Sequence, residues 1–316
     1  METTSRAYGK LILAGEHAVV YGVPAIAVGI DRGASAIARP SLANRLRIES
    51  WSVDVTENGE GDLARAFTAL IAAARTRGTV ASVEIEASTE LPAGGGLGCS
   101  AALGVAVARA VSPDASDDDI LADAMAWEKI FHGNPSGVDA AVATLGGAIQ
   151  FIRNEGIEPV DCGGTLFFAI GDSGNASSTK TMVEGLARLR DAEPAMVSAA
   201  FERIRAISGD VRAAIESGDV AALGIAMRDN QKILAKLALS TPDIDAMCSI
   251  ARDAGALGCK LTGAGGGGCV VALAEDRASA ERVLEAWRAN HKHGFVAELG
   301  APRSRGRAPA SDSLTA

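Results

Sequence analysis

Short apolar runs bounded by glycine or proline mark the strands in the first half of the chain. The runs 11–13 and 25–30 predict two strands joined by a polar turn. Two further strands are expected over 45–55 and 80–87, and in the second of them apolar and polar residues alternate. A helix predicted over 62–76 separates these two strands. The first half of the chain is therefore expected to be rich in strands.

Helical spacing dominates much of the remaining sequence. Helices are predicted over 100–111 and 118–132, and helical segments cover most of 180–256. The last strands are expected near 259–262, 269–274 and 296–299. Strands early and helices late predict an α+β fold in two lobes.

The length of 316 residues is typical of two domains of roughly 150 residues each. We expect residues 1–165 to form an N-terminal domain and 166–300 a C-terminal domain. The tail 301–316, with its arginines, serines and prolines, is expected to be disordered.

Composition and charge narrow the classes of function. Hydrophobic residues make up 48% and charged residues 22%, as in soluble globular proteins. A net charge of −9 argues against nucleic acid as the main partner, because phosphate backbones attract basic surfaces. An anionic substrate would need a local cluster of donors or a metal. Five cysteines without a CxxC pair indicate reduced thiols.

The sequence offers no good candidate for a membrane span or a signal peptide. Lys10 and Glu16 interrupt any apolar run at the N-terminus. The longest uncharged stretch, 91–108, contains a proline and five glycines. We therefore expect a cytoplasmic protein with no membrane partner.

A glycine-rich loop at 92–98 lies between a predicted strand and a predicted helix. Glycines let backbone N–H groups approach an anion, and the helix start adds unpaired donors. Ser100 could offer its hydroxyl to a phosphate or to Mg²⁺. Residues 96–101 also fit the dinucleotide fingerprint GxGxxA, but the expected strand and acidic residue are misplaced. A plain structural turn stays open as an alternative.

A second motif, Trp127–Asp139, contains two carboxylates in unusual places. Glu128 falls on the apolar stripe of its helix, where a carboxylate must be paired or metal-bound. Either a metal or a buried arginine could be its partner. Asp139 follows a Gly-Asn-Pro-Ser-Gly turn, so it could act as a base or simply cap the following segment.

A third glycine-rich segment, residues 260–269, has five glycines within six positions. A mere turn would need less backbone freedom, so we expect close approach to another backbone or to a ligand. Near the start of the chain, Lys10 heads a strand, and Glu16 and His17 follow it. These three residues could equally be solvated or turn residues.

Together these segments resemble the GHMP kinase superfamily, whose central motif is P-x-x-x-G-L-G-S-S-A-A. Residues 92–102 match that motif except that Cys99 replaces the first serine. Residues 9–22 and 132–139 are similar to the branch of the superfamily that phosphorylates mevalonate, and 260–269 resemble the third motif. The ordered matches span residues 9–269.

The resemblance implies a two-lobed kinase, with a mixed sheet plus helices in the N-terminal lobe. Helices packed on an antiparallel sheet would form the C-terminal lobe. Such an enzyme would use ATP and Mg²⁺ to phosphorylate the C5 hydroxyl of mevalonate, its small-molecule substrate. Phosphomevalonate, homoserine and galactose kinases, or a ligand sensor without turnover, share the fold and stay open. A homodimer is one possible assembly.

The resemblance also implies a role for individual residues. Asp139 would be the catalytic base or orienting carboxylate, and Lys10 would stabilise developing negative charge. Ser100 and Glu128 would hold Mg²⁺. The ATP phosphates would be cradled by Pro92, Gly94, Gly95, Gly96, Leu97, Gly98, Cys99, Ser100 and Ala101. The substrate site would be lined by Glu16, His17, Thr179 and Gly265.

Overall fold

A computed structural model describes residues 2–133, 135–175 and 178–299. The expected tail 301–316, and Asn134 within the second motif, lie outside the described residues. The N-terminal lobe contains these elements in chain order: β1 (Thr3–Ala14), β2 (Ala25–Pro40), β3 (Arg45–Ile48), β4 (Val53–Thr56), α1 (Asp62–Arg75), β5 (Val83–Thr89), α2 (Cys99–Val111), α3 (Asp117–His132), α4 (Val138–Leu145), β6 (Ala148–Ile152) and β7 (Gly156–Val160).

The first sheet is organised around β2. This strand pairs with β1 along nearly its whole length, with β6 through residues 25–28 and with β5 through residues 34–40. The pairs are antiparallel except that β3 and β5 run parallel. The sheet is therefore mixed, as expected from the resemblance.

The first lobe also contains β6 and β7, which the pattern did not identify, and two further details differ from the expectations. The strand predicted over 45–55 is two strands, because a 3-10 turn at Glu49–Trp51 and the left-handed Ser52 (φ 52°) reverse the chain. The small apolar run after Asp139 is the helix α4, which the pattern did not identify. Both differences arise in short segments, where tertiary packing outweighs local periodicity.

The C-terminal lobe contains β8 (Leu166–Asp172), α5 (Thr179–Ala192), α6 (Pro194–Ser217), α7 (Val220–Lys236), α8 (Pro242–Asp253), β9 (Gly258–Leu261), β10 (Cys269–Ala274), α9 (Arg277–Ala289) and β11 (His293–Leu299). Its sheet is antiparallel in the order β11-β8-β10-β9. Helices packed on this sheet give the second lobe its core. The α+β architecture is therefore confirmed. The sheet begins at Leu166, and we retain the division at 165/166 as a proposal.

Two further sequence expectations concern the thiols and the membrane. All five cysteines lie in the described ranges and are unpaired there. Among residues 2–133, 135–175 and 178–299, every helix is too short or too polar to cross a bilayer.

A bidentate ion pair joins α1 to α3 beneath the first sheet. Arg77, just after α1, donates to Asp123 Oδ1 at 2.8 Å and to Oδ2 at 2.5 Å. Asp123 is 0% exposed, so this carboxylate depends on the guanidinium for compensation.

Removing Asp123 should therefore destabilise the first lobe. We expect Asp123→Ala to lower the free energy of unfolding by about 2–3 kcal/mol, less than for a fully buried pair because Arg77 is partly exposed. Urea unfolding measures this change. The exposed Asp253 provides a matched control, for which Asp253→Ala should change stability by less than about 0.5 kcal/mol. Equal losses in the two variants would contradict the role of the pair.

Candidate active site

The phosphate loop, residues Pro92–Ala101, runs from the end of β5 into the first turn of α2. Gly98 is the N-cap of α2, and its lack of a side chain leaves no cap on the helix N–H groups. The first hydrogen bond of the helix is Ala102 N–H to Gly98 O at 2.9 Å. The N–H groups of Cys99, Ser100 and Ala101 therefore have no acceptor within the helix, which suits binding of an anion.

The third glycine-rich segment supports the phosphate loop from behind. A Cβ on Gly96 would lie 2.9 Å from Thr262 O, and a Cβ on Gly263 would lie 2.9 Å from Gly96 Cα. Both glycines also have positive φ, 76° and 82°. Cys269 N–H donates to Gly95 O at 3.1 Å. The close approach between backbones expected from the sequence is therefore confirmed.

Lys10 and Asp139 meet at the end of the phosphate loop. Lys10 Nζ lies 3.0 Å from Asp139 Oδ1 and donates to Gly96 O at 3.1 Å. The Lys10 side chain is buried, whereas that of Asp139 is 38% exposed. Gly98 lies against both side chains. An ammonium group and an accessible carboxylate thus converge beside the anion-binding helix start.

Asp139 is placed by α4, whose first turn contains it. A carboxylate there interacts favourably with the helix dipole and the unpaired N–H groups of that turn. The capping alternative is not realised, because the N-cap of α4 is Gly137 and no side-chain hydrogen bond caps this helix. One Asp139 oxygen instead faces Lys10, and the side chain remains partly accessible.

Ser100 and Glu128 face each other across α2 and α3. Ser100 Oγ donates to Glu128 Oε1 at 2.5 Å, and Trp127 Nε1 donates to Ser100 Oγ at 3.3 Å. Glu128 is 3% exposed, as its place on the apolar stripe predicted. A buried arginine beside Glu128 is not found among the described residues: the arginines that contact α3, Arg77 and Arg109, pair with its other carboxylates. Glu128 instead has Ser100 and His132 Nε2, the latter at 3.7 Å.

Burial raises the pKa of Glu128 to about 7, and the hydrogen bond from Ser100 opposes that rise. The nearby carboxylate of Asp139 raises the pKa of Glu128 further, whereas the Lys10 ammonium lowers it. A cation at this position would therefore stabilise the charged form of Glu128.

Cys99 stands where the family motif has serine. Its thiol points back toward β5, with Sγ 3.5 Å from Thr89 Oγ1 and 3.7 Å from Leu91 O. Burial raises the pKa of this thiol, so it stays protonated. The side chain at position 99 therefore packs in the core, and the substitution does not remove the backbone N–H group.

The four residues expected at the substrate occupy different environments. His17 Nε2 lies 2.7 Å from Ala264 O, next to Gly265. Burial lowers the pKa of His17, so the ring favours the neutral form. Thr179 is exposed at the start of α5, a helix whose Met182 packs on Gly266.

Glu16 is placed differently from expectation. It is 1% exposed and is bound by Lys260 Nζ and by Asn230 Nδ2, the latter at 2.9 Å. A ligand could reach this carboxylate only by displacing these partners. Its position therefore does not support a substrate contact.

Asn230 belongs to none of the motifs, although the sequence carries a signal for it. It falls on the buried stripe of α7 with Leu223, Met227 and Leu234, where a polar residue requires a partner. Lys260 was recognised only as the first residue of a motif. Its burial depends on contact with Glu16, 244 positions away, so the local sequence cannot predict it.

Comparisons with known proteins agree with this geometry. The family model "GHMP kinases N terminal domain" matches residues 63–147, and "GHMP kinases C terminal" matches 211–293. The mevalonate kinase of Aeropyrum pernix is 34% identical over 314 residues, covering 94% of this chain and 96% of that protein. The mevalonate kinase of Pyrococcus furiosus is 30% identical, covering 88% and 90%.

A solved structure shows the same fold. The L. major mevalonate kinase in complex with R-mevalonate superposes with a TM-score of 0.82 at 24% identity, covering 95% of this chain and 96% of that one. Fold, motifs and relatives coincide over nearly the whole length. The chain therefore belongs to the GHMP kinase family, within its mevalonate kinase group.

Proposed function

We propose that this kinase transfers the γ-phosphoryl group of ATP to the C5 hydroxyl of mevalonate, giving 5-phosphomevalonate for isoprenoid synthesis. The observation that carries the proposal is the Lys10–Asp139 pair, 3.0 Å apart, at the end of the phosphate loop. The names of the relatives support the choice of substrate.

Positioning and charge stabilisation supply most of the rate in phosphoryl transfer. Asp139 would accept a hydrogen bond from the substrate hydroxyl and take its proton as the oxygen attacks. Lys10, held by Gly96 O and Asp139, would stabilise negative charge on the attacking oxygen and the transferred group. The N–H groups at the start of α2 would bind the phosphates that remain on the nucleotide.

Ser100 and Glu128 fit a magnesium ion that arrives with the nucleotide. Among the described residues, no group of three or more His, Cys, Asp or Glu side chains could hold a metal alone. Mg²⁺ is commonly bound by one or two carboxylates together with substrate phosphates. Bound there, the ion would neutralise phosphate charge and favour the charged form of Glu128, whose pKa is raised chiefly by burial.

We assign the substrate side of the cleft to the His17 turn and to the segment containing Gly265, with Thr179 at its outer edge. His17 is neutral and anchored by Ala264, so it can present its other ring nitrogen to a ligand. The unpaired cysteines support a reducing compartment, and we propose the cytoplasm.

Substrate choice is tested by measuring ADP release with mevalonate, phosphomevalonate, homoserine and galactose offered separately. We expect turnover with mevalonate to exceed that with each alternative by at least about 10²-fold in kcat/KM, since unpaired polar groups penalise the wrong substrate. Absence of turnover with mevalonate would refute the proposed function.

The role of Asp139 is tested by Asp139→Asn, which keeps the size but removes the proton acceptor. We expect kcat to fall by about 10³-fold, with the affinity for ADP unchanged within about twofold. Steady-state kinetics and calorimetry give the two quantities. Asp253→Asn, at an exposed site, is the matched control. A kcat near that of the control would exclude Asp139 from the chemistry.

Glu128 makes the stability of the metal-free protein depend on pH. Its folded-state pKa of about 7 lies above the ordinary 4.5, so between these values the folded protein binds more protons than the unfolded chain. The free energy of unfolding should therefore fall as pH rises from about 5 to 7, by roughly 2–3 kcal/mol relative to Glu128→Gln.

Urea unfolding of the wild type and Glu128→Gln at several pH values measures this difference. Adding Mg²⁺ with ADP should reverse the fall in the wild type only, because a cation favours the charged carboxylate. Parallel pH profiles for the two proteins would contradict the assignment.

A further inference from the structure

The proposed chemistry does not use the ion pair between Glu16 and Lys260. These side chains are 1% and 0% exposed. Lys260 Nζ contacts Glu16 Oε1 and donates to the backbone oxygens of Ile12 at 3.0 Å and Leu261 at 2.6 Å. The three contacts use all three donors of the ammonium group. Asn230 Nδ2 binds the other oxygen of Glu16 at 2.9 Å.

The ion pair contacts the outer edge of strand β1. Ile12 N–H donates to Thr262 Oγ1 at 3.0 Å, and Ile12 O accepts from Lys260. Two residues earlier, Lys10 N–H donates to Leu97 O at 2.9 Å. The third glycine-rich segment and the phosphate loop thus bind neighbouring positions of the strand that carries Lys10.

The turn after β1 is anchored by the same segment. His17 has a positive φ (59°, with ψ −46°), which is unfavourable for a residue with a Cβ. Its ring is held by Ala264 O, and the preceding residue, Glu16, is held by Lys260. Residues 260–264 therefore fix both the conformation and the position of this turn.

We infer that Lys260 is a positioning residue for phosphoryl transfer. Its ammonium group, with Glu16 as counter-ion, fastens the third glycine-rich segment to β1 and so sets the positions of Lys10 and His17. This inference rests on the proposed function.

Loss of one partner would leave the other charge uncompensated in the protein interior. The His17 turn and the adjoining end of β1 would then shift to hydrate that charge. A displacement of about 1 Å at the reacting groups can cost about 10²-fold in rate.

The test compares Lys260→Met, Glu16→Gln and the double variant in single-turnover phosphorylation of mevalonate at saturating ATP. We expect Lys260→Met to lower the rate constant by about 10²-fold. The double variant should recover about tenfold, because no buried charge is then left alone. The affinity for ADP, measured by calorimetry, should change by less than about threefold, since the ammonium contacts β1 and β9 rather than the phosphate loop.

Lys232→Met is the matched control, because it removes an exposed lysine of the same lobe that pairs with Asp229. It should match the wild type in rate and ADP affinity. The inference is overturned if Lys260→Met, assayed below its thermal midpoint, keeps the wild-type rate, or if the double variant is no faster than Lys260→Met.

If Lys260→Met does not fold, Glu16→Gln decides the question, since it keeps the size of the side chain and one acceptor oxygen while removing its charge. We expect it to be slower by about tenfold, and an unchanged rate would overturn the inference. Failure of the wild type to phosphorylate mevalonate would instead remove the proposed function, and the inference with it.

Discussion

The contact between two glycine-rich backbones is the constraint on which the site depends. Gly96 and Gly263 approach so closely that neither position has room for a Cβ. This approach joins the phosphate loop of the first lobe to the loop between β9 and β10 of the second. Because interiors are close-packed, a side chain at either position would push the lobes apart. The glycines therefore allow the two lobes to pack closely, and they also leave backbone N–H groups accessible to an anion.

Charged and polar groups within the site counteract the repulsion that the overall negative charge of the chain exerts on an anion. A chain with a net charge of −9 repels an anionic nucleotide at long range. The site compensates with the ammonium group of Lys10 and the unpaired N–H groups of α2. Its two carboxylates, Asp139 and Glu128, are suited to a cation. Glu128 responds to both Asp139 and Lys10 through its pKa, which shows that these groups form one electrostatic unit. A magnesium nucleotide would complete this unit with the positive charge it lacks.

Two buried charges near the site have different partners and different consequences. Among the described residues, Glu128 has the Ser100 hydroxyl and the His132 imidazole at close range, and burial raises its pKa to about 7. Glu16 has a buried ammonium and an amide, so its charge is compensated within the protein. One carboxylate is thus available to a cation, while the other joins the two lobes.

The sequence by itself determined the family, the α+β class and the segments that form the site, since the motifs lie in contiguous stretches. It also placed Glu128 in the core, because helical spacing is a local property. Only the tertiary structure decided that Glu16 pairs with Lys260, that Cys99 turns its thiol away from the phosphate side, and that Arg77 pairs with Asp123 rather than Glu128. Each of these outcomes depends on contacts between side chains that are distant in sequence. It also depends on how far those contacts are buried from water. Periodicity and spacing carry no information about such contacts.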